Sequence, residues 1–191
     1  MLEAELKAAV EGRTLEQLEE TARAMGFCPR SVLKETDLYF NGVARDFAAT
    51  DEALRLRSCE RLEPVGETVT CLTYKGPKTD PRSNSRTEYE TAVEDGETAQ
   101  HLLEALGFHP VCRVEKVRRE LALGDVTLCL DRVAGLGEFL ELEILCKEEE
   151  REAAVERLLE ILDRLGVPRT ALLRRSYLGM LQEKRRGENG V

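Results

Sequence analysis

Hydrophobic and polar residues alternate at the start of the chain. Between residues 2 and 10 the even-numbered positions are apolar, whereas Glu3, Glu5 and Lys7 share the opposite face. Successive side chains of a β-strand point to opposite sides, so this period of two predicts a strand with one apolar and one charged face.

Seven later segments have strand-like composition and are bounded by turn residues. With the first segment they make eight predicted strands. The seven segments are 30–41, 53–62, 66–75, 86–94, 109–121, 124–133 and 137–147.

Helical signals separate these segments. Thr14 and Gln17 form a capping box before a run with helical spacing that ends at Gly26. Three further helices are predicted, over 96–106, 147–165 and 169–185.

Strands and helices in this arrangement indicate an α+β protein with a meandering antiparallel sheet. Eight antiparallel strands can remove their unpaired edges by closing into a barrel, with the helices packed outside. We therefore predict a closed eight-stranded antiparallel β-barrel as a single domain over 1–185, followed by a frayed polar tail at 186–191.

Composition narrows the class of protein. The chain has 191 residues, of which 34% are charged, and its net charge of −9 argues against a nucleic-acid surface. An acidic start and the lack of a long apolar run predict a cytoplasmic protein that does not bind a membrane. Six cysteines without a Cys-x-x-Cys pair are expected to be free and mostly buried thiols.

Ionised residues recur two positions apart in five of the predicted strands. For one strand alone, a face exposed to solvent explains this best. Five such strands, together with helices enough to cover the apolar faces, favour charged faces that point into the barrel. The charged sets are Glu3, Glu5 and Lys7; Arg55 and Arg57; Arg86, Glu88 and Glu90; Lys116, Arg118 and Glu120; and Glu141 and Glu143.

Buried charges need partners or a metal, and these residue types indicate a ligand. Carboxylates are hard oxygen donors suited to Mg²⁺ or Mn²⁺, and we expect them from Glu3, Glu5, Glu141 and Glu143, with Glu88, Glu90 and Asp131 as further candidates for the metal or for positioning water. Cations suited to phosphate come from Lys7, Arg55, Arg57, Lys75, Lys116 and Arg118. Together they predict a site for a metal-bound triphosphate.

The order of these motifs resembles the CYTH domains, or triphosphate tunnel metalloenzymes, over nearly the whole chain. The resemblance rests on Glu3-Ala4-Glu5-Leu6-Lys7, Thr36-Asp37-Leu38-Tyr39-Phe40, Leu54-Arg55-Leu56-Arg57, Tyr74-Lys75-Gly76-Pro77, Arg86-Thr87-Glu88-Tyr89-Glu90, Glu115-Lys116-Val117-Arg118 and the block from Asp131 to Glu143. That block, with Gly135-Leu136-Gly137, and the later Arg175-Ser176-Tyr177-Leu178-Gly179-Met180-Leu181 are similar to the class IV adenylate cyclase branch.

The resemblance implies an eight-stranded tunnel in which the cations above grip a triphosphate and the glutamates hold one or two divalent ions. It implies an enzyme, with Glu5, Lys75 and Glu141 as catalytic candidates. An adenylate cyclase with ATP as its small-molecule ligand is favoured over a triphosphatase acting on thiamine triphosphate, tripolyphosphate or a nucleoside triphosphate. A non-catalytic binding module is a third alternative, and a thin barrel with an exposed rim is compatible with a homodimer.

Several other residues carry weaker signals. His101 and His109 are expected at the surface or in packing contacts, and Ser176 is expected to contact the chain or the ligand. The loop 76–85 contains Lys78 and Arg82, which are candidates for closing over a ligand at the mouth of the tunnel.

Overall fold

The eight strands form one closed antiparallel barrel in the computed structural model, which describes residues 2–78 and 86–189. Each predicted strand segment coincides with an observed strand, so the prediction of an eight-stranded barrel is confirmed. The strands are β1 Leu2–Ala9, β2 Cys28–Gly42, β3 Ala53–Glu63, β4 Thr68–Lys78, β5 Arg86–Val93, β6 Phe108–Leu123, β7 Val126–Val133 and β8 Gly137–Cys146.

The strand order around the barrel is β1-β5-β4-β3-β2-β6-β7-β8. Strand β1 pairs with β8 along its whole length, from Leu2 opposite Cys146 to Ala9 opposite Phe139. On its other side β1 pairs with β5 at only two described positions, one of which places Glu3 opposite Arg86. Among the residues that the structure describes, the β1–β5 pairing is therefore shorter than the β1–β8 pairing.

Within the described part of the chain, four α-helices accompany the barrel: α1 Leu15–Ala24, α2 Gly96–Ala105, α3 Arg151–Arg164 and α4 Tyr177–Asn189. The capping box of α1 is confirmed, because the Thr14 hydroxyl accepts the Gln17 backbone N–H and the Gln17 side chain accepts the Thr14 backbone N–H. Such a box satisfies two donors that a helix start leaves without a partner.

The apolar faces of β1, β7 and β8 point outward and are covered by helices. Leu6, Leu128 and Leu142 are almost completely buried together with Leu158 and Leu162 of α3. Burying a leucine side chain stabilises a fold by about 1.5–3 kcal/mol. This outer core fixes the strand register, and the opposite charged faces must then point into the barrel.

The last helix differs from the prediction in both extent and place. A short 3₁₀ turn at Arg169–Ala171 is followed by extended chain, in which the Leu173 N–H donates to the Lys7 carbonyl at 2.8 Å. Helix α4 starts only at Tyr177, and Tyr177 and Leu181 are buried against apolar side chains at one end of the barrel interior. The apolar side chains of α4 pack against the apolar end of the barrel interior. Helix α4 therefore closes this end and does not lie on the outer wall.

Strand β4 continues beyond its predicted end. A register shift between Lys75 and Lys78 forms a bulge that contains Gly76 and Pro77. A bulge accommodates proline, which lacks the N–H that a regular ladder requires. As a result Lys78 lies on a strand opposite Arg86, whereas Arg82 and the rest of the predicted loop fall outside the described residues.

The C-terminal segment also departs from the expected tail. Helix α4 runs through 186–188 to Asn189, where the sequence predicts fraying from 186 onward. The segment Glu183-Lys184-Arg185-Arg186 consists of good helix formers, which accounts for the extension. Within the described residues no helix is long and apolar enough to cross a membrane.

Candidate active site

The barrel encloses a cavity of about 510 Å³ whose wall is dominated by charged side chains. Eight cationic groups and nine carboxylates of the described residues line it. The cations are Lys7, Arg55, Arg57, Lys75, Lys78, Arg86, Lys116 and Arg118, and the carboxylates are Glu3, Glu5, Asp37, Asp51, Glu52, Glu88, Glu90, Glu141 and Glu143. All the predicted phosphate-binding and catalytic residues thus face one cavity, as do the four predicted metal glutamates.

Asp131 is the one predicted site residue that does not line this cavity. Its side chain is completely buried and accepts two hydrogen bonds from Arg118, each at 2.7 Å, and one from Lys116 at 3.0 Å. The Tyr177 hydroxyl donates a fourth, at 2.9 Å. Asp131 therefore lies behind the wall and orients two cations toward the cavity.

Two acidic residues of β2, Asp37 and Glu35, orient the arginines of β3. Asp37 accepts a forked pair of hydrogen bonds from Arg57, at 2.6 and 2.8 Å, and lies 3.6 Å from Arg55. Glu35 lies 3.0 Å from Arg57 and 3.1 Å from Lys116. Although burial acts to raise it, the pKa of Glu35 is lowered to about 2 because Lys116, Arg118 and Arg57 stabilise the charged form.

Glu141 occupies the centre of the network. One of its oxygens is 3.0 Å from the Lys7 ammonium and the other contacts the Arg118 guanidinium. Burial opposes ionisation, but Lys7 and Arg118 hold the pKa of Glu141 well below its usual range. Both oxygens of Glu141 already have cationic partners. In this arrangement Glu141 positions Lys7 and Arg118 and has no oxygen left over for a metal.

The other three predicted metal glutamates have a different environment. Glu5 of β1 lies opposite Glu143 of β8, and Glu3 lies two residues before Glu5 on the same face of β1. Burial, with the charges of Glu141 and Glu5, raises the pKa of Glu143 to about 7 against the effect of Arg118. Burial and the Glu143 charge likewise raise the pKa of Glu3. Cations lie near all three glutamates, with Lys75 3.8 Å from Glu3, Lys7 3.5 Å from Glu5 and Arg118 3.6 Å from Glu143. For Glu3 and Glu143, burial and neighbouring carboxylates outweigh these contacts.

A pre-formed metal cage is absent from the residues that the structure describes, since no three acidic, histidine or cysteine side chains converge closely enough to hold an ion. The oxygen donors nevertheless suit Mg²⁺ or Mn²⁺, which usually bind one or two carboxylates together with water and substrate phosphates. Glu3, Glu5 and Glu143 fit that arrangement.

The remaining candidates are nearer the rim of the cavity. The Lys75 ammonium contacts Glu88 and lies 3.8 Å from Glu3. Glu90 lies 3.8 Å from Arg55. Lys78 is 2.6 Å from Asp51, and both Lys78 and Ser176 line the cavity, while their contact with a ligand stays a prediction.

Sequence reasoning missed several residues that shape this site. Glu35, Asp37 and Tyr39 alternate along β2 in the same way as the residues that were selected, so period two was the signal that could have found them. Tyr177 had no such signal, because it reaches the interior from α4. Its ring lies beneath the ammonium of Lys7, 4.4 Å from the centroid.

The residues given minor roles are mostly peripheral. His101 and His109 are exposed, in agreement with the prediction. Of the six free cysteines, Cys112, Cys129 and Cys146 are buried, two are half-buried and Cys28 is exposed, so burial applies to only half of them.

The fold and the site together define a class of protein, namely a closed antiparallel barrel with anchored cations and opposed carboxylates inside. The model of the CYTH domain matches residues 1–177. The chain belongs to the CYTH family.

Relatives cover nearly the whole chain. It is 36% identical over 179 residues to "Putative adenylate cyclase MJ0240" of Methanocaldococcus jannaschii, covering 93% of this chain and 97% of that one. The PH1819 protein of Pyrococcus horikoshii OT3 has a similar structure, with a TM-score of 0.86, 39% identity and coverage of 95% and 99%. HpAC1 from Hippeastrum, described as revealing a dominant triphosphatase activity, shares the fold with a TM-score of 0.67, 21% identity and coverage of 96% and 95%.

Replacing Tyr177 with phenylalanine tests the contact between α4 and the cation network. The change removes the hydrogen bond to the Asp131 carboxylate and keeps the ring near Lys7, so we expect the free energy of unfolding to fall by about 1–3 kcal/mol. Urea denaturation measures the change. The matched control is Tyr89→Phe, because Tyr89 is 68% exposed and its change should stay within about 0.5 kcal/mol. Equal effects of the two substitutions would contradict the role of Tyr177.

The raised pKa of Glu143 predicts a pH dependence of stability. Between about pH 4.5 and 7 the folded protein retains the Glu143 proton that the unfolded chain releases, so the stability of the metal-free protein should fall as pH rises through this window. Carboxyls with a lowered pKa, such as Glu35, affect stability only at pH values below this window. Melting temperatures measured in chelator from pH 4.5 to 8 should fall less steeply for Glu143→Gln. An unchanged slope would rule out the shift.

Proposed function

We propose that this protein is a metal-dependent enzyme that binds a nucleoside triphosphate in the tunnel, and that it is an adenylate cyclase converting ATP to cyclic AMP and pyrophosphate. The observation that carries the proposal is the arrangement, inside one cavity, of buried cations that acidic residues hold in place and of Glu3, Glu5 and Glu143, which are carboxylates of the type that binds Mg²⁺ or Mn²⁺. Membership of the CYTH family and the adenylate cyclase name of the M. jannaschii relative support this choice.

The phosphate side of the site is organised before any ligand binds. Lys116 and Arg118 are fixed by Asp131, and Arg57 is fixed by the fork of Asp37. Donors that are already oriented stabilise charge on a ligand without paying for reorganisation, and they are most effective away from water. Long flexible side chains on a surface would not provide this.

Charge balance supports a metal on the carboxylate side. Among the described residues, eight cations and nine carboxylates line the cavity, so these side chains supply no excess of positive charge for a triphosphate with about four negative charges. A divalent cation held by Glu3, Glu5 and Glu143 would offset part of the negative charge of the ligand and of these glutamates. We therefore propose Mg²⁺ or Mn²⁺ as the cofactor. When bound, such an ion supplies Lewis-acid stabilisation of developing oxyanion charge.

In the cyclase reaction the ribose 3′-oxygen attacks the α-phosphorus in line with the departing pyrophosphate. A bond from the 3′-oxygen to the α-phosphorus forms, the bond to the β-phosphate oxygen breaks, and the 3′-hydroxyl proton leaves. We assign Glu5 as the carboxylate that receives it. Arg55, Arg57 and Lys75 neutralise charge on the pyrophosphate as it leaves.

A triphosphatase is the second candidate, because the same fold is found in HpAC1. In that reaction a water molecule attacks the terminal phosphorus and orthophosphate leaves. The cation set serves either reaction, so the two differ in which phosphorus faces the Glu5 side of the cavity.

Substitution of Glu5 by glutamine tests the proposed activity. We expect Glu5→Gln to lose at least about 100-fold in metal-dependent turnover of ATP, because it removes both a metal donor and the proposed base. Assays with Mg²⁺ or Mn²⁺ should separate cyclic AMP and pyrophosphate from orthophosphate, with thiamine triphosphate and tripolyphosphate run in parallel. The control is Glu160→Gln, an exposed position on α3. Wild-type turnover in Glu5→Gln would refute the assignment, and orthophosphate as the sole product would establish the triphosphatase.

Replacement of Arg57 by lysine tests the phosphate side. Lysine keeps the positive charge but cannot donate the paired hydrogen bonds of a guanidinium. The affinity for ATP should therefore fall by about 10-fold or more, and the affinity for AMP should fall less. Calorimetric titrations of both nucleotides measure this difference. Arg113→Lys, at an exposed position of β6, is the matched control. Equal losses for ATP and AMP would show that Arg57 does not contact the outer phosphates.

A further inference from the structure

Two cations near the rim of the tunnel share one acidic partner. Lys78, the last residue of β4, lies directly opposite Arg86, the first residue of β5, and both line the cavity. Like charges that face each other on paired strands are destabilising. The pair therefore depends on negative charge nearby, which Asp51 supplies.

The Asp51 carboxylate contacts both cations. It accepts the Lys78 ammonium at 2.6 Å and the Lys78 backbone N–H at 3.0 Å, and it lies 3.8 Å from the Arg86 guanidinium. Arg86 also donates to the Asp51 carbonyl, at 3.4 Å. Burial lowers the pKa of Lys78, and the charges of Arg86 and Arg174 act in the same direction against the effect of Asp51. Asp51 thus offsets positive charge that comes from several cations.

The backbone holds Asp51 in place. Its φ of +55° lies in the left-handed region, which aspartate tolerates better than most residues do. The next residue, Glu52, is buried, and its N–H donates to the Phe47 carbonyl at 2.9 Å. The Lys78 ammonium, in contrast, is carried on a flexible four-carbon stem. When this ion pair breaks, Lys78 is therefore the partner that moves.

This ion pair differs from those deeper in the tunnel. The Asp51 side chain is 50% exposed, whereas that of Asp131, which binds Lys116 and Arg118, is completely buried. An exposed ion pair contributes little to stability, because water and salt screen it. Breaking a buried pair leaves an uncompensated charge and is strongly destabilising. A ligand with several negative charges can therefore replace Asp51 as a partner far more readily than it can replace Asp131.

We propose that Asp51 occupies Lys78 and Arg86 in the free protein, and that the phosphates of the ligand displace it. Asp51 is then a positioning residue that acts through these two cations, and it binds them again when the product leaves. This inference rests on the proposed function, since it needs a chain of phosphates in the tunnel. Because a fixed negative charge at the rim repels such a chain, Asp51 weakens its binding and speeds its release.

The substitution Asp51→Asn tests this role. Asparagine tolerates a positive φ, and its amide oxygen can still accept the Lys78 N–H, so the main change is the loss of the charge. Asp51→Gly is a second variant, which removes the whole side chain and suits the backbone angle. The matched control is Asp125→Asn, because Asp125 is an exposed carboxylate 2.8 Å from Arg157 and does not line the tunnel.

Binding of inorganic tripolyphosphate and of pyrophosphate in the presence of Mg²⁺ is measured by calorimetry, and dissociation rates by chase with unlabelled ligand. Both Asp51 variants should bind about 3- to 10-fold more tightly than the wild type, mainly through slower dissociation, and added salt should reduce the gain. Asp125→Asn should bind as the wild type does.

A residue that only supported the fold would lose affinity on replacement, which is the opposite sign. Unchanged or weaker binding in the folded Asp51 variants would overturn the inference, as would a gain that salt does not reduce. In either case a wild-type protein that binds both ligands leaves the proposed function standing. A wild-type protein that binds neither would overturn the proposed function as well.

Discussion

The structure depends on the buried carboxylate of Asp131, which binds Arg118, Lys116 and the Tyr177 hydroxyl at once. These partners come from two elements, β6 and α4, and Asp131 itself from β7. A buried charge is costly unless each of its oxygens has partners, so the barrel wall and α4 have to meet in one arrangement. The same contacts aim two cations into the tunnel, and this links the stability of the fold to the geometry of the site.

From this arrangement follows a division of the interior into two sides. Asp37, Glu35 and Glu141 have cationic partners and are ionised, and they serve to hold arginine and lysine in place. Glu3 lies 3.8 Å from Lys75 and Glu143 lies 3.6 Å from Arg118, but burial still raises the pKa of each. The balance between burial and all the charges around a carboxyl therefore decides which of these acidic residues are ionised.

Helix α4 connects the tunnel to the rest of the molecule. Tyr177 and Leu181 close one end of the interior, while Leu178, Gly179 and Gln182 on the same helix line a second cavity of about 260 Å³. One helix thus bounds two cavities. The placement of Lys116 and Arg118 depends on how this helix packs, because the Tyr177 hydroxyl donates to the Asp131 carboxylate that binds both cations.

The sequence by itself determined the eight strands, their charged inner faces and most of the site, because a period of two fixes which side chains share a face wherever the opposite face is apolar. It also allowed the CYTH family to be recognised from the order of the motifs. Only the tertiary structure decided that Asp131 lies behind the wall, that Glu141 is already paired with Lys7 and Arg118, and that Tyr177 enters from a helix at the end of the barrel. Alternation records the face on which a residue lies, but its partners come from strands and helices distant in sequence, and their distances arise only when the barrel closes.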